Sequence, residues 1–132
     1  MTVLDLKAIG KHIILELYDC PADLLSEPAE MQRTLEAGAL VMGATIVESR
    51  FHHFSPLGVS GVVIIMESHL TIHTWPEYGY AAVDIFTCGI LDIEAGVELL
   101  SRELKAKRVE RQMIERGKEL QIQGSNTNSK LE

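Results

Sequence analysis

Ser68, His69, His73 and Cys88 are side chains of this 132-residue sequence whose types could do covalent or proton-transfer chemistry. All four fall in one stretch, Gly58 to Gly89, which reads GVSGVVIIMESHLTIHTWPEYGYAAVDIFTCG. Ser60 lies just upstream of them and Glu67 directly precedes Ser68. No Lys or Arg occurs from Phe51 to Ser101, whereas Glu67, Glu77 and Asp84 do. An acidic neighbourhood of that kind suits a cationic ligand and rejects a polyanion.

Each residue type narrows the chemistry. A Ser-His-Asp hydrolase places its serine in a G-x-S-x-G turn from strand to helix. Met66-Glu67-Ser68-His69-Leu70 has neither glycine and runs on into a strand, so a triad is disfavoured and the bland role for Ser68 is that of a turn serine. His69 and His73, with His52 and His53, would suit zinc if their four-residue spacing lay on a helix. It lies on a strand, no acidic third ligand is placed by spacing, and no metal is expected. Cys88 closes a strand just before Gly89. Its bland reading is a small buried hydrophobe, and acidic surroundings favour its thiol over the thiolate, which suits a proton donor better than a nucleophile. A pyridoxal-phosphate enzyme needs a Schiff-base lysine and an anion cradle, and the stretch offers neither. Trp75, Tyr78 and Tyr80 read as packing residues, whereas Phe54, before Ser55-Pro56, is an aromatic at a loop edge that can stack on a flat ligand.

The elements that must hold these residues follow from pattern. Lys11–Cys20 reads as a strand closed by Pro21, and 27–41 as a helix with Met31, Leu35, Ala39 and Met42 on one face, ended by Gly43. Asp23 and Ser26 are its candidate N-caps. Thr45–Phe54 reads as a strand. The apolar run from Gly61 reads as a buried strand, interrupted at Glu67-Ser68-His69 and resuming from Leu70 to Trp75. Pro76-Glu77-Tyr78-Gly79 is a turn and Tyr80–Cys88 the next strand. Asp92 caps a second helix with Val97, Leu100 and Leu104 inward, and the alternation in 108–115 favours a last strand. The order β-α-β-β-β-α-β predicts an α+β fold, a two-layer α/β sandwich of a mostly antiparallel sheet with two helices on one face. The other face then needs cover, and an apolar face predicts dimerisation. One domain over 1–123 and a disordered polar tail over 124–132 are expected.

The turn at 76–79 has a geometric consequence. If its flanking strands pair, residues whose numbers sum to roughly 155 face each other. Ser68 then lies opposite Thr87 and beside Cys88. His73, five residues along from Ser68, is roughly 16 Å away on a straight strand, too far to serve the Ser68 of its own chain.

Composition sets the outer bounds. With 46% apolar and 23% charged residues the chain is ordinary globular material. Its net charge of -7, from 12 basic and 19 acidic residues, argues against a phosphate-backbone partner. The longest uncharged apolar stretch, Ala37–Val47, is too short to span a bilayer, and no secretory signal is expected, since no basic segment followed by an apolar one is evident near the start. Two cysteines, Cys20 and Cys88, make no disulfide framework, so a cytoplasmic location is expected.

The same stretch resembles the signature of the prokaryotic S-adenosylmethionine decarboxylase proenzymes. The likeness runs from Gly10-Lys11-His12 to Ala106-Lys107-Arg108, and ESHLTIHTWPE is its most specific part. The resemblance implies self-cleavage between Glu67 and Ser68, into 1–67 and 68–132. The Ser68 hydroxyl attacks the preceding carbonyl to turn amide into ester, and β-elimination leaves a dehydroalanine that hydrolyses to a pyruvoyl group. That pyruvoyl group, in place of pyridoxal phosphate, forms a Schiff base with the α-amino group of S-adenosylmethionine and promotes loss of carbon dioxide, in service of polyamine (spermidine) synthesis. Cys88 matches the family's proton donor, Ser60 and His73 its processing residues, Phe54 the ring that stacks on adenine, and Glu77 the acid that holds the ribose hydroxyls. Eukaryotic relatives resemble a fused duplicate of this unit, with the counterparts of Ser60 and His73 opposite the pyruvoyl. A homodimer with composite active sites is therefore implied: Ser60, His73, Phe54 and Glu77 from one subunit, Ser68 and Cys88 from the other. Met66 departs from the small polar residue usual before Glu-Ser, which implies slower cleavage. Alternatives on the same scaffold are a pyruvoyl-dependent arginine or ornithine decarboxylase and an unprocessed binding subunit; Phe54 and Glu77 favour the adenosyl substrate.

Overall fold

The structure, a computed structural model, describes residues 9–118. The expected tail over 124–132 lies outside the described residues. Six strands, β1 (Gly10–Tyr18), β2 (Thr45–His53), β3 (Val59–Met66), β4 (Ser68–Trp75), β5 (Tyr80–Thr87) and β6 (Arg108–Arg116), form one antiparallel sheet in the order β2-β3-β4-β5-β1-β6. Helices α2 (Pro28–Val41) and α3 (Ile93–Glu103) cover one face, and a one-turn helix, α1 (Ala22–Leu25), precedes them. Two layers and a wholly antiparallel sheet agree with the expected class.

The local signals act unevenly. Asp92 caps α3, its carboxylate accepting from the Ala95 N–H at 3.1 Å, which satisfies one donor that a helix start leaves orphaned. Asp23 and Ser26 cap nothing. The flanking residue of α2 is Glu27, which makes no side-chain cap bond, and Pro28 takes the first helical position, where its missing N–H costs nothing. Ser26 instead donates to the Ala22 carbonyl.

The larger correction concerns the run from 61 to 75. It is a hairpin of two strands, not one interrupted strand. Ile65 pairs with Ser68, Val63 with Leu70 and Ser60 with His73, so only Met66 and Glu67 make the turn. Folding back lets the run bury Val63, Ile65, Leu70 and Ile72 on the helix-covered face. An extended 15-residue strand would have reached roughly 50 Å, well beyond the other strands of the sheet.

Alternation puts Ile13, Leu15, Leu17, Val83 and Ile85 on the same buried face, against Met31, Leu35 and Ala39 of α2 and Leu100 of α3. Each such side chain contributes about 1.5–3 kcal/mol by leaving water. Thr74 sits among them with its polarity satisfied: its hydroxyl donates to the Leu25 carbonyl and accepts from the Val59 N–H, both at 2.9 Å. Among the described residues no helix covers the opposite sheet face. Ile64 and Met66 stand on it 41% and 62% exposed.

Candidate functional site

Ser68 begins β4 immediately after the two-residue turn. It is held by ladder pairing on both sides, to Ile65 of β3 and to Thr87 of β5. Its φ is 149°, a region that residues other than glycine rarely occupy, and such a conformation costs on the order of 1–3 kcal/mol unless the surroundings over-determine it. Two flanking ladders do so here. The register on the β5 side is the expected one, since Ser68–Thr87 and Trp75–Tyr80 both sum to 155. Cys88 follows Thr87, and its Sγ lies 3.4 Å from Ser68 Oγ. Gly89, at φ 90°, lets the chain turn away directly after the thiol. Both members of this pair are half-buried.

A second pair lies along the same hairpin. Ser60 of β3 and His73 of β4 face each other across the ladder, with Ser60 Oγ 2.8 Å from His73 Nδ1. They open into a cleft of about 460 Å³ on the uncovered face, whose walls include Arg50, His52, Val62 and Thr71. Phe54 stands just past the end of β2, with its N–H donating to the Gly58 carbonyl at 2.7 Å. Its ring meets the ring of His52 edge-to-face at 4.4 Å between centroids. Glu77 is exposed in the 3-10 turn (Pro76–Tyr78) that joins β4 to β5. Phe54, Ser60, His73 and Glu77 therefore gather at one end of the sheet, and Glu67, Ser68 and Cys88 at the other. Five residues of β4, roughly 16 Å, separate His73 from Ser68.

The remaining sequence candidates resolve into packing except Tyr78, which was expected to pack and is 74% exposed in its turn. His69 and His73 share the open face but are four residues apart on a strand, roughly 13 Å, beyond the reach of one metal ion. Among the described residues no group of three or more His, Cys, Asp and Glu side chains converges as a ligand set. Cys20 is buried, and burial together with Asp19 pushes its thiol up to about 11, which leaves it protonated and inert. Trp75, Tyr80 and Tyr18 stack in turn. Burial, and then the hydrogen bond Tyr80 donates to Glu16, raise Tyr80 to about 12.

Other polar groups were invisible to sequence spacing. His12 of β1 reaches Asp84 of β5 at 3.3 Å, Thr71 donates to the same carboxylate at 3.2 Å, and Arg116 lies 3.4 Å from the other His12 nitrogen. Arg116 also lies over the Phe86 ring at 5.5 Å. The stretch without Lys or Arg is thus not a space without them. Strand pairing brings Arg116 to the open face and Arg50 to the cleft wall, where Glu48 offsets the guanidinium at 2.7 Å. The only signals for these groups were the strand periodicities that put them on one face.

The fold is a two-layer α+β sandwich, and its hairpin carries a strained serine against a thiol with a serine–histidine pair further along the same two strands. The sequence profile described as S-adenosylmethionine decarboxylase matches residues 11–117, and the chain belongs to that family. It is 51% identical over 114 residues to the S-adenosylmethionine decarboxylase proenzyme of Thermotoga maritima, covering 86% of this chain and 88% of that one. It is 49% identical over 113 residues to the proenzyme of the same name from Carboxydothermus hydrogenoformans, covering 85% and 89%. The crystal structure of the adenosylmethionine decarboxylase from Aquifex aeolicus superposes with a TM-score of 0.81 at 34% identity, over 92% of this chain and all of that one.

Proposed function

We propose that this chain is the self-cleaving proenzyme of a pyruvoyl-dependent decarboxylase that acts on S-adenosylmethionine and supplies the decarboxylated product to polyamine (spermidine) synthesis. The observation that carries the reading is Ser68 itself, a non-glycine residue at φ 149° with a thiol 3.4 Å from its hydroxyl.

Processing uses the chain's own atoms. Ser68 Oγ adds to the Glu67 carbonyl and expels the Ser68 nitrogen, which converts the amide into an ester and releases the strained φ. Loss of the Ser68 α-proton then breaks the Cβ–O bond, so that residues 1–67 depart with a carboxylate at Glu67. Water displaces nitrogen at residue 68, ammonia leaves, and a ketone remains at the new N-terminus. The residues fit that group: Ser68 has the strain and Cys88 lies beside it. Once formed, the pyruvoyl ketone supplies an electrophile that draws electrons from the substrate's Cα–carboxylate bond and frees carbon dioxide. Cys88 holds a proton at Sγ for delivery to Cα of the product.

Ser60 and His73 act in processing as a hydroxyl–imidazole pair that moves a proton. Phe54 stacks on adenine and Glu77 accepts hydrogen bonds from the ribose hydroxyls. These four serve the Ser68 of a second copy. A two-fold axis through the middle of two facing sheets sets one end of each sheet over the opposite end of its partner. Such a homodimer covers the exposed Ile64 and Met66 and completes two sites at once. Arginine or ornithine would leave Phe54 and Glu77 without a task. A cytoplasmic site of action suits two free cysteines; no helix among the described residues is long and apolar enough to cross a membrane.

Intact mass spectrometry with a carbon dioxide release assay tests the reading. Fragments 1–67 and 68–132 are expected, the second blocked to N-terminal sequencing, with release from S-adenosylmethionine but not from arginine or ornithine. A free serine at the start of the second fragment would overturn it.

A further inference from the structure

We infer that His52 is a positioning residue that holds the Phe54 ring ready for adenine. This rests on the stacking role proposed for Phe54. Phe54 lies beyond the last residue of β2 and is 50% exposed, so core packing does not fix its ring. Its backbone is pinned by the hydrogen bond to Gly58 at 2.7 Å. Its side chain meets His52, two residues back, with centroids 4.4 Å apart and ring planes at 63°. An edge-to-face contact of this kind is favourable beyond the area it buries, and it leaves ring surface free for stacking.

The place of His52 in the ladder strengthens the case. His52 pairs with Ser60, and Ser60 with His73. One cross-strand row thus carries the brace for Phe54 and the hydroxyl–imidazole pair, and His52 forms part of the cleft wall beside that pair. A ring already held in its bound pose loses less freedom when the ligand arrives. The cost of removing His52 therefore falls on substrate affinity, not on the chemical step.

His52→Ala, His52→Phe, Phe54→Ala and the His52→Ala/Phe54→Ala double variant of the full chain test this. In His52→Ala, KM for S-adenosylmethionine should rise about three- to tenfold, as expected for one lost aromatic contact. Self-cleavage should still run to completion and kcat should stay within about twofold. His52→Phe, which can restore the edge contact, should recover most of the affinity. The double variant should bind no worse than Phe54→Ala alone, because the brace acts only through the ring. An unchanged KM in His52→Ala while Phe54→Ala raises KM overturns the inference and leaves the stacking role standing. An unchanged KM in Phe54→Ala sinks the stacking role itself. A fall in cleavage or kcat with KM unchanged assigns His52 to the Ser60–His73 pair instead and also overturns the inference.

Discussion

The two ends of β4 hold two hydroxyl-centred pairs built on different principles. At one end, Ser68 faces Cys88 at 3.4 Å because the backbone compels it: a two-residue turn, ladders on both sides and a φ of 149° leave the serine little choice. At the other, Ser60 and His73 meet at 2.8 Å as ordinary cross-strand neighbours on an exposed face, and neither is among the residues with positive φ. The first pair holds backbone strain at Ser68, next to the peptide bond proposed to be cut. The second has no such strain and is a hydroxyl–imidazole contact, for which proton transfer is the proposed role. A single chain keeps them roughly 16 Å apart, and the proposed reading has a second copy bring them together.

The largest effect is expected from removing the hydroxyl at the strained end. Ser68→Ala should abolish cleavage and leave one intact folded chain with no decarboxylase activity, read as a single band on a denaturing gel and an unchanged circular dichroism spectrum. Residual fragments would mean that another nucleophile does the cutting. Cys88→Ala comes next. It should retain at least partial cleavage yet lose about 10²–10⁴ in turnover, the usual range for a positioned proton donor, and unchanged carbon dioxide release would remove Cys88 from the cycle. The smallest effect sharpens the strain argument. Neither Ser68→Gly nor Ser68→Ala can cleave, but only glycine is at ease at positive φ. The glycine variant should therefore be the more stable of the two by about 1 kcal/mol in denaturant midpoints, after its greater unfolded-state entropy is set against the relief. Equal midpoints would show that the turn carries no usable strain.

How much of this could be read from the sequence depended on the distance over which each signal acts. The β4–β5 hairpin was legible because Pro76 to Gly79 announce a turn, and once its register is set Ser68 and Cys88 must be neighbours. The cap of α3 was legible at Asp92, whose side chain bonds inside its own first turn. The β3–β4 fold-back was not: Met66-Glu67 has no Gly, Asn or Pro to mark it, and the residues on either side both read as strand. For that reason nothing in the sequence points to the Ser60–His73 contact; the family resemblance implies only a shared processing role, and a continuous strand would have held the two residues far apart. The one-turn α1 is too short to show a helical period. The link between His12 and Asp84 spans 72 positions and depends on β1 entering the sheet beside β5, which no local pattern states. Glu77 and Phe54 had no geometric argument in the sequence either; the structure brings both to the Ser60–His73 end through the loop after β2 and the turn after β4.

Complementation between two defective variants shows whether the site is shared between copies. Cys88→Ala and Phe54→Ala would be purified separately, mixed, allowed to exchange subunits with exchange confirmed by native mass, and assayed. A two-fold assembly gives each mixed dimer one site with wild-type Cys88 and wild-type Phe54 and one site with both defects. Activity should therefore rise toward about half the wild-type value per mixed dimer. If mixed dimers form and no activity returns, both pairs serve the same chain, and His73 must reach Ser68 by a route that a straight β4 does not allow.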